Sequence, residues 1–135
     1  MDLGSSMMIS TSGMKAQGAR MRIIAENMAN SSSIAPSEGE DPYRRKIISF
    51  TNQLDRELGV RTVQVDKIAK DRSDFGRRYD PGHPAADADG YVRTTNVEAL
   101  VESNDMREAQ RTYQANLSAV DAAKTMMMRT LDLLR

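Results

Sequence analysis

The sequence predicts a mainly α-helical fold with a small β part, in which N- and C-terminal helices pair as a coiled-coil-like hairpin around a short β-rich middle. All ten methionines lie in residues 1–28 or 106–128, whereas all four prolines and five of the six aromatic residues lie between them. Helix-compatible side chains therefore form the ends, and turn-forming residues form the centre. We expect an N-terminal helical segment at 1–34, a linker and β-rich region at 35–95, and a long C-terminal helix at 96–135.

The N-terminal segment is predicted to be helical over about residues 4–30. Its apolar residues recur every seven positions, a spacing that returns a side chain to nearly the same helix face after two turns. Two internal glycines, Gly13 and Gly18, each cost about 1 kcal/mol relative to alanine. We therefore expect the helix to need packing partners, and the candidate subunit-packing residues are Met7, Met14, Met21, Ile24 and Met28.

The C-terminal segment gives a stronger helix prediction, over about 96–134, because no glycine or proline follows Gly90. Thr95 and Glu98 have the spacing of a capping box, which predicts where this helix begins. A second seven-residue apolar row runs along it and is reinforced by two leucines. These candidate subunit-packing residues are Met106, Tyr113, Leu117, Val120, Met127, Leu131 and Leu134.

The middle region is predicted to contain strands at Arg44–Phe50 and Val60–Ile68, with turns at Pro81-Gly82 and Asp89-Gly90. The basic run 44–46 follows an acidic stretch, 38–41. We interpret it as locally neutralised or as the solvated face of a strand.

Several classes of function are disfavoured by composition. Lys plus Arg and Asp plus Glu both number 19, and this balance argues against nucleic acid as a partner. No cysteine is available for thiolate metal sites, and no run of about 18 apolar residues could insert directly into a membrane. The one histidine, His83, sits in a Gly-His-Pro turn and not beside a nucleophile. We expect no enzymatic activity, no catalytic residues, no metal and no cofactor.

Apolar residues outside the two rows, such as Leu100, Val101 and Met126, would stay exposed on an isolated helix pair. Such a surface favours neighbouring subunits, and an interface whose two faces differ builds an open helical array. Three asparagines lie near or within the apolar stripes. Asn27, Asn30 and Asn116 could fix helix register as buried polar groups, or Asn30 could be a helix C-cap and Asn116 solvent-exposed.

Several stretches of the sequence carry a family resemblance. Gly13-Met14-Lys15-Ala16-Gln17, continuing to 24–30, closely resembles the N-terminal signature of bacterial flagellar rod and hook proteins. The stretches 42–50, 79–92 and 109–128 resemble the proximal-rod members of that family. The positions that carry the resemblance are Asn27, Ala29, Asn30, Tyr79, Pro81, Gly82, Pro84, Gly90, Tyr91, Tyr113, Gln114, Ala115 and Asn116.

The resemblance implies a structural subunit of the flagellar proximal rod, the hollow drive shaft that transmits torque and encloses the export channel. Implied partners are copies of the chain, other flagellar rod proteins, a membrane-ring adaptor and the flagellar type III export apparatus. The implied location is the basal body, in the periplasmic rod, reached without a cleaved signal peptide. The alternative is a free coiled-coil adaptor or export chaperone that forms a closed oligomer.

Overall fold

The two terminal helices are confirmed by the computed structural model, which describes residues 3–57 and 59–134. Helix α1 spans Leu3–Ala29 and helix α2 spans Ala99–Leu133, and the two pack against each other. The ends of the predicted terminal segments, residues 1, 2 and 135, lie outside the described residues. Neither helix, in the part of the chain that the structure describes, has an apolar stretch long enough to cross a bilayer.

The start of α2 differs from the capping-box prediction. The helix begins at Ala99, and the backbone N–H of Glu102 donates to the carbonyl of Glu98 at 3.0 Å. The Thr95 hydroxyl instead accepts from the N–H of Val97, at 3.2 Å. Thr95 thus forms a local turn before the helix, a hydrogen bond that threonine often makes in competition with capping. The capping-box interpretation was wrong.

In its described residues, the middle region contains four strands in two two-stranded sheets. Strands β1, Lys46–Asp55, and β2, Val60–Lys70, form one sheet. Strands β3, Gly76–Tyr79, and β4, Tyr91–Thr94, pair antiparallel in the other. The predicted β-rich middle is confirmed, although β1 extends five residues beyond its expected end at residue 50.

The chain divides into two compact units. The first comprises the described residues of 1–21, 48–67 and 107–135. Within it, the α1–α2 contact is built on small side chains: Ala16, Ala109 and Ala123 are buried, and a methyl group at Gly13 would lie 2.8 Å from Nδ2 of Asn116. Small residues let helix backbones approach closely, so this contact has little room for added atoms.

The second unit comprises residues 22–47 and 68–106. One apolar cluster in it is formed by Ala35, Ala85 and Val92, and Ile23, Ile24 and Val97 are also buried. The segment before residue 36 runs along β4, where the N–H of Ala35 donates to the carbonyl of Arg93 at 3.0 Å and Ile34 bridges Thr94. The second unit also contains the buried polar residues Asn27 and Glu102.

Candidate functional site

Asn27, in the last turn of α1, is the centre of a buried hydrogen-bond network in the second unit. Its side chain is 1% exposed. Nδ2 donates to the carbonyl of Lys46 at 2.9 Å and to Oε2 of Glu102 at 3.1 Å. Oδ1 accepts from the Tyr43 hydroxyl at 2.9 Å and from the N–H of Lys46 at 3.0 Å. Both ends of the amide are therefore fully used.

Glu102, in the first turn of α2, is completely buried and pairs with Arg45. Nε of Arg45 donates to Oε1 of Glu102 at 2.5 Å, and its other nitrogens lie 3.5 Å from Asp71 and 3.4 Å from Asp105. Burial by itself would lower the pKa of Arg45, but the hydrogen bond to Glu102 and the nearby carboxylates raise it. A buried carboxylate is tolerated only with such partners. We call Asn27, Tyr43, Arg45, Lys46 and Glu102 the polar clamp.

The other two members of the polar clamp, Tyr43 and Lys46, connect the segment 43–46 to α1. Burial, followed by the negative charges of Glu26 and Glu102, raises the pKa of Tyr43 to about 12. Tyr43 therefore stays protonated and donates its hydroxyl hydrogen to Asn27 at physiological pH. The ammonium of Lys46 pairs with Glu26 in α1. The segment 43–46 is thus joined to α1 by backbone, hydroxyl and charged contacts.

A second layer of contacts holds the polar clamp in place. Oδ1 of Asn96 accepts from the N–H of Arg45 at 2.7 Å, and its Nδ2 donates to the hydroxyl of Ser73 at 2.9 Å. Asp71 accepts from the Ser73 backbone N–H, and this bond is the main cause that lowers the pKa of Asp71, with Arg45 adding to it. The guanidinium of Arg44 lies 4.0 Å from the centre of the Phe75 ring, a cation–π contact. Arg45 is therefore held in its orientation by Asp71 and by Asn96.

The polar clamp fixes position and register. It joins the end of α1, the start of β1 and the first turn of α2. A one-residue shift of α1 would move Asn27 by about 1.5 Å along the axis and turn it by about 100°. All four of its hydrogen bonds would then be lost. The arrangement suits a protein that must present its two helices in one defined alignment.

Comparison with known proteins places the chain in a family. The flagellar basal-body rod protein FlgC of Agrobacterium fabrum is 45% identical over 98% of this chain and 96% of its own length. The chain belongs to the FlgC family of flagellar basal-body rod proteins. FlgC of Bacillus subtilis is 36% identical over 95% of both chains, and FlgC of Salmonella typhimurium is 37% identical over 93% of this chain and 92% of its own. A family model described as "Flagellar basal body rod FlgEFG protein C-terminal" matches residues 88–133.

The FlgC-like asparagine motif at the end of α1 contains one buried and one capping residue. Asn27 forms the polar clamp. Asn30 donates from Nδ2 to the carbonyl of Glu26 at 2.8 Å, so its C-cap interpretation is confirmed. Ala29 and Met28 are exposed. Subunit packing by the exposed Met28 stays a prediction.

The FlgC-like stretch 79–92 builds a tight turn. The rings of Tyr79 and Tyr91 meet edge to face with centroids 5.3 Å apart. Gly90 has φ of 81°, and a methyl group there would lie 3.0 Å from the Tyr79 ring and 3.1 Å from Pro81. Gly90 is therefore required by backbone and by space. Gly82 and Pro84 are exposed and make no contact that explains them.

Two polar residues of that turn have structural roles. Nδ1 of His83 accepts from the N–H of Ala85 at 3.1 Å, which confirms that His83 is a turn residue. Oδ1 of Asp87 accepts from the N–H groups of Asp89 and Tyr91, and these bonds, led by Tyr91, lower the pKa of Asp87.

The FlgC-like stretch 113–116 lies in the middle of α2. Asn116 donates to the carbonyl of Thr112 at 3.1 Å and lies against Gly13, where it is half-buried and not solvent-exposed. Tyr113 is also half-buried, whereas Gln114 and Ala115 are exposed. Subunit packing by Tyr113 stays a prediction.

The proposed subunit-packing rows are divided by the structure. Ile24 is buried, and one group is half-buried: Met7, Met14, Met21, Met106, Tyr113, Leu117 and Val120. The exposed group is Met28, Met127, Leu131 and Leu134. Exposed apolar residues are available to neighbours, but their use in packing remains a prediction.

Most of the polar clamp differs from what the sequence pattern predicted. The basic run 44–46 is not neutralised by the acidic stretch before it, because Arg45 and Lys46 pair with Glu102 and Glu26. Asp41, in the acidic stretch, pairs with Arg93 instead. One signal was present. Glu102, Ala109, Asn116 and Ala123 recur every seven residues, and this row of small and polar residues is the more buried face of α2.

Proposed function

We propose that this chain is a structural subunit of the flagellar rod, at its proximal part, and that it does not act as an enzyme. The observation that carries the proposal is similarity over almost the entire length to rod proteins of three bacteria. An assembly subunit uses its whole surface, so similarity from end to end is expected of it. The alternative of a free adaptor or export chaperone is not favoured by these relatives.

The structure supports an assembly role in a second way. Apolar side chains remain exposed towards the end of α2, and the buried Asn27 and Glu102 hydrogen-bond each other and hold the two helices in register. We propose that copies of the chain and other rod proteins cover this apolar surface. A membrane-ring adaptor and the flagellar type III export apparatus complete the proposed partners.

The proposed location is the periplasmic rod of the basal body, with export that leaves no cleaved leader. Mass spectrometry of the chain from purified basal bodies tests the second part. The proposal expects a mass without loss of an N-terminal peptide. A shortened N-terminus would contradict it.

Electron microscopy of basal bodies tests the main proposal. Cells that lack the gene should retain the membrane ring and lose the rod, and a plasmid copy should restore both rod and swimming. Complete basal bodies in the deletion strain would contradict a rod role and would return the adaptor to first place. A strain that lacks an unrelated motility gene, such as one for a motor stator, serves as the control with intact rods.

A further inference from the structure

Strand β1 has one edge that no other strand covers. Among residues 3–57 and 59–134, its sheet contains only β1 and β2, so β1 pairs with a strand along one side. The connection 56–59 is short, and the two strands therefore run antiparallel. In such a pair, the N–H and C=O of each residue point to the same side, and that side alternates along the strand. Alternate residues of β1 therefore direct their backbone groups away from β2.

Hydrogen bonds at two positions identify which residues of β1 point away from β2. The carbonyl of Gln53 accepts from the Thr62 hydroxyl in β2 at 3.4 Å, so the odd-numbered residues face β2. The N–H and C=O of Lys46 bond to the Asn27 side chain instead, so the even-numbered residues face away. We call the even-numbered residues beyond Lys46 the β1 edge: Ile48, Phe50, Asn52 and Leu54.

The side of β1 that faces away from β2 already binds an amide at its first residue. Asn27 accepts from the N–H of Lys46 at 3.0 Å and donates to its carbonyl at 2.9 Å, as a neighbouring strand would. In the described ranges 3–57 and 59–134, no hydrogen bond joins the backbone of the β1 edge to another element. Residues 51–54 are all exposed. The group that matches such an edge is an extended backbone, whose own N–H and C=O groups alternate at the same spacing.

The β1 edge differs in charge from the other strands. No charged residue, glycine or proline occurs in 47–54. Natural proteins protect open edges with charged side chains, which keep other strands away. Charges are present on the exposed half of β2 and on β3: Asp66, Lys67, Lys70, Arg77 and Arg78. A second β1, in contrast, can approach the β1 edge without bringing like charges together.

We propose that two copies of the free chain pair antiparallel through their β1 edges, about a two-fold axis at Thr51. Lys46 is already bonded to Asn27, and the pairing that uses the rest of the β1 edge is the one centred on Thr51. Thr51 then stands directly opposite Thr51 of the second copy, a favourable cross-strand pair. The same surface is used by both copies, so the contact closes after two.

The neighbouring residues also fit this register. Phe50 exchanges both backbone hydrogen bonds with Asn52 of the second copy, and Ile48 does so with Leu54 of the second copy. The result is a four-stranded sheet in the order β2, β1, β1, β2, in which both β1 strands are central. Each apolar residue of the β1 edge thus meets an uncharged one.

The pair belongs to the chain before assembly, and the proposed rod role does not depend on it. One strand edge buries less than the about 1,200–2,000 Å² of stable protein complexes. We therefore expect a weak pair, with a Kd of about 10–100 μM. Such a pair covers the β1 edge while copies are free and separates readily when they assemble.

Disulfide trapping tests the register, because the chain contains no cysteine of its own. In Thr51→Cys, the two Cα atoms of a pair would lie about 4.5 Å apart, a separation that a disulfide can span. Oxidised glutathione should then oxidise the two thiols to one disulfide and be reduced to two molecules of glutathione. Gln53→Cys is the matched control, since Gln53 is exposed on the same face of β1 but lies opposite Ser49 of the second copy.

The Thr51→Cys chain should form the covalent pair at least tenfold faster than the Gln53→Cys chain. Equal rates, or products larger than two copies, would overturn the proposed register.

Sedimentation velocity of the full chain measures the pair without a crosslink. From about 1 to about 300 μM, the average mass should rise from one copy towards two. Thr51→Lys and Thr51→Glu should each raise the Kd at least tenfold, because like charges then stand opposite each other, and an equimolar mixture of the two should pair again. Asn104→Lys, on the exposed face of α2, should change nothing. A mass of one copy at every concentration, or a mixture no better than either variant alone, would overturn the pairing and leave the rod role standing.

Discussion

Replacement of Asn27 by alanine should destabilise the second unit strongly. The change removes four hydrogen bonds and leaves the N–H and carbonyl of Lys46, the Tyr43 hydroxyl and one oxygen of Glu102 without this partner. A buried polar group left unsatisfied costs about 1–3 kcal/mol. Tyr43 is only half-buried and can turn to water, so we expect a total loss of about 3–5 kcal/mol. This is a large part of the ~5–15 kcal/mol that stabilises a typical domain.

Urea unfolding of the full chain, followed by circular dichroism at 222 nm, measures this loss. For a denaturant slope of about 2 kcal/mol/M, the midpoint should fall by about 2 M. Asn104→Ala is the matched control, because Asn104 is exposed on α2 in the same unit. It should leave the free energy of unfolding unchanged or raise it by roughly 0.5 kcal/mol through helix propensity. An Asn27→Ala variant within 1 kcal/mol of the parent would refute the central role of this amide.

Three further predictions follow from single contacts. Gly18→Ala should raise the free energy of unfolding by up to about 1 kcal/mol, since nothing lies within 4 Å of the added methyl group. Gly13→Ala should be less stable than Gly18→Ala by about 1–2 kcal/mol, because its methyl group meets Asn116. Equal free energies of the two variants in urea unfolding would argue against the close helix contact. Absorbance at 295 nm should show a tyrosine ionisation near pH 12 that Tyr43→Phe removes, and because the folded pKa is raised, stability should fall as pH rises from about 10 to about 12. Because the pKa of Asp71 is lowered in the folded chain, Asp71 contributes stability above its unfolded pKa of about 3.9, and this stability is lost as the pH falls through the folded pKa. Asp71→Asn should therefore weaken the loss of stability at acid pH. An unchanged loss of stability at acid pH would contradict this.

The helices could be predicted from the sequence, and most of the polar clamp could not. Seven-residue spacing and the absence of proline are local signals, and both helix ranges agree with the structure within three residues. The partners of the basic run are set by tertiary contacts, since Arg45 and Glu102 are 57 positions apart. Local charge balance therefore suggested the wrong acidic partners for Arg45. The sequence does not show which of the acidic residues lies close to Arg45 in the folded chain.

The two rows on α2 show another limit of pattern analysis. Apolar spacing emphasised Met106, Tyr113 and Val120, which are half-buried. The more buried row runs through Ala109 and Ala123, where small side chains permit close helix contact. Hydrophobicity identifies residues that avoid water, but it does not say whether another helix of the same chain or another molecule covers them. Close contacts between small residues carry little hydrophobic signal.

The polar clamp also has a consequence for the time at which the chain can fold. Its central hydrogen bond joins residues separated by 75 positions, and Glu102 is synthesised only after three-quarters of the 135 residues. Contacts of such long range form slowly, because a large loop must close before the contact contributes. The nascent chain thus spends most of its synthesis without the contact that sets its helices in register. The register of the two helices at this contact can therefore be set only while the last quarter of the chain is being made.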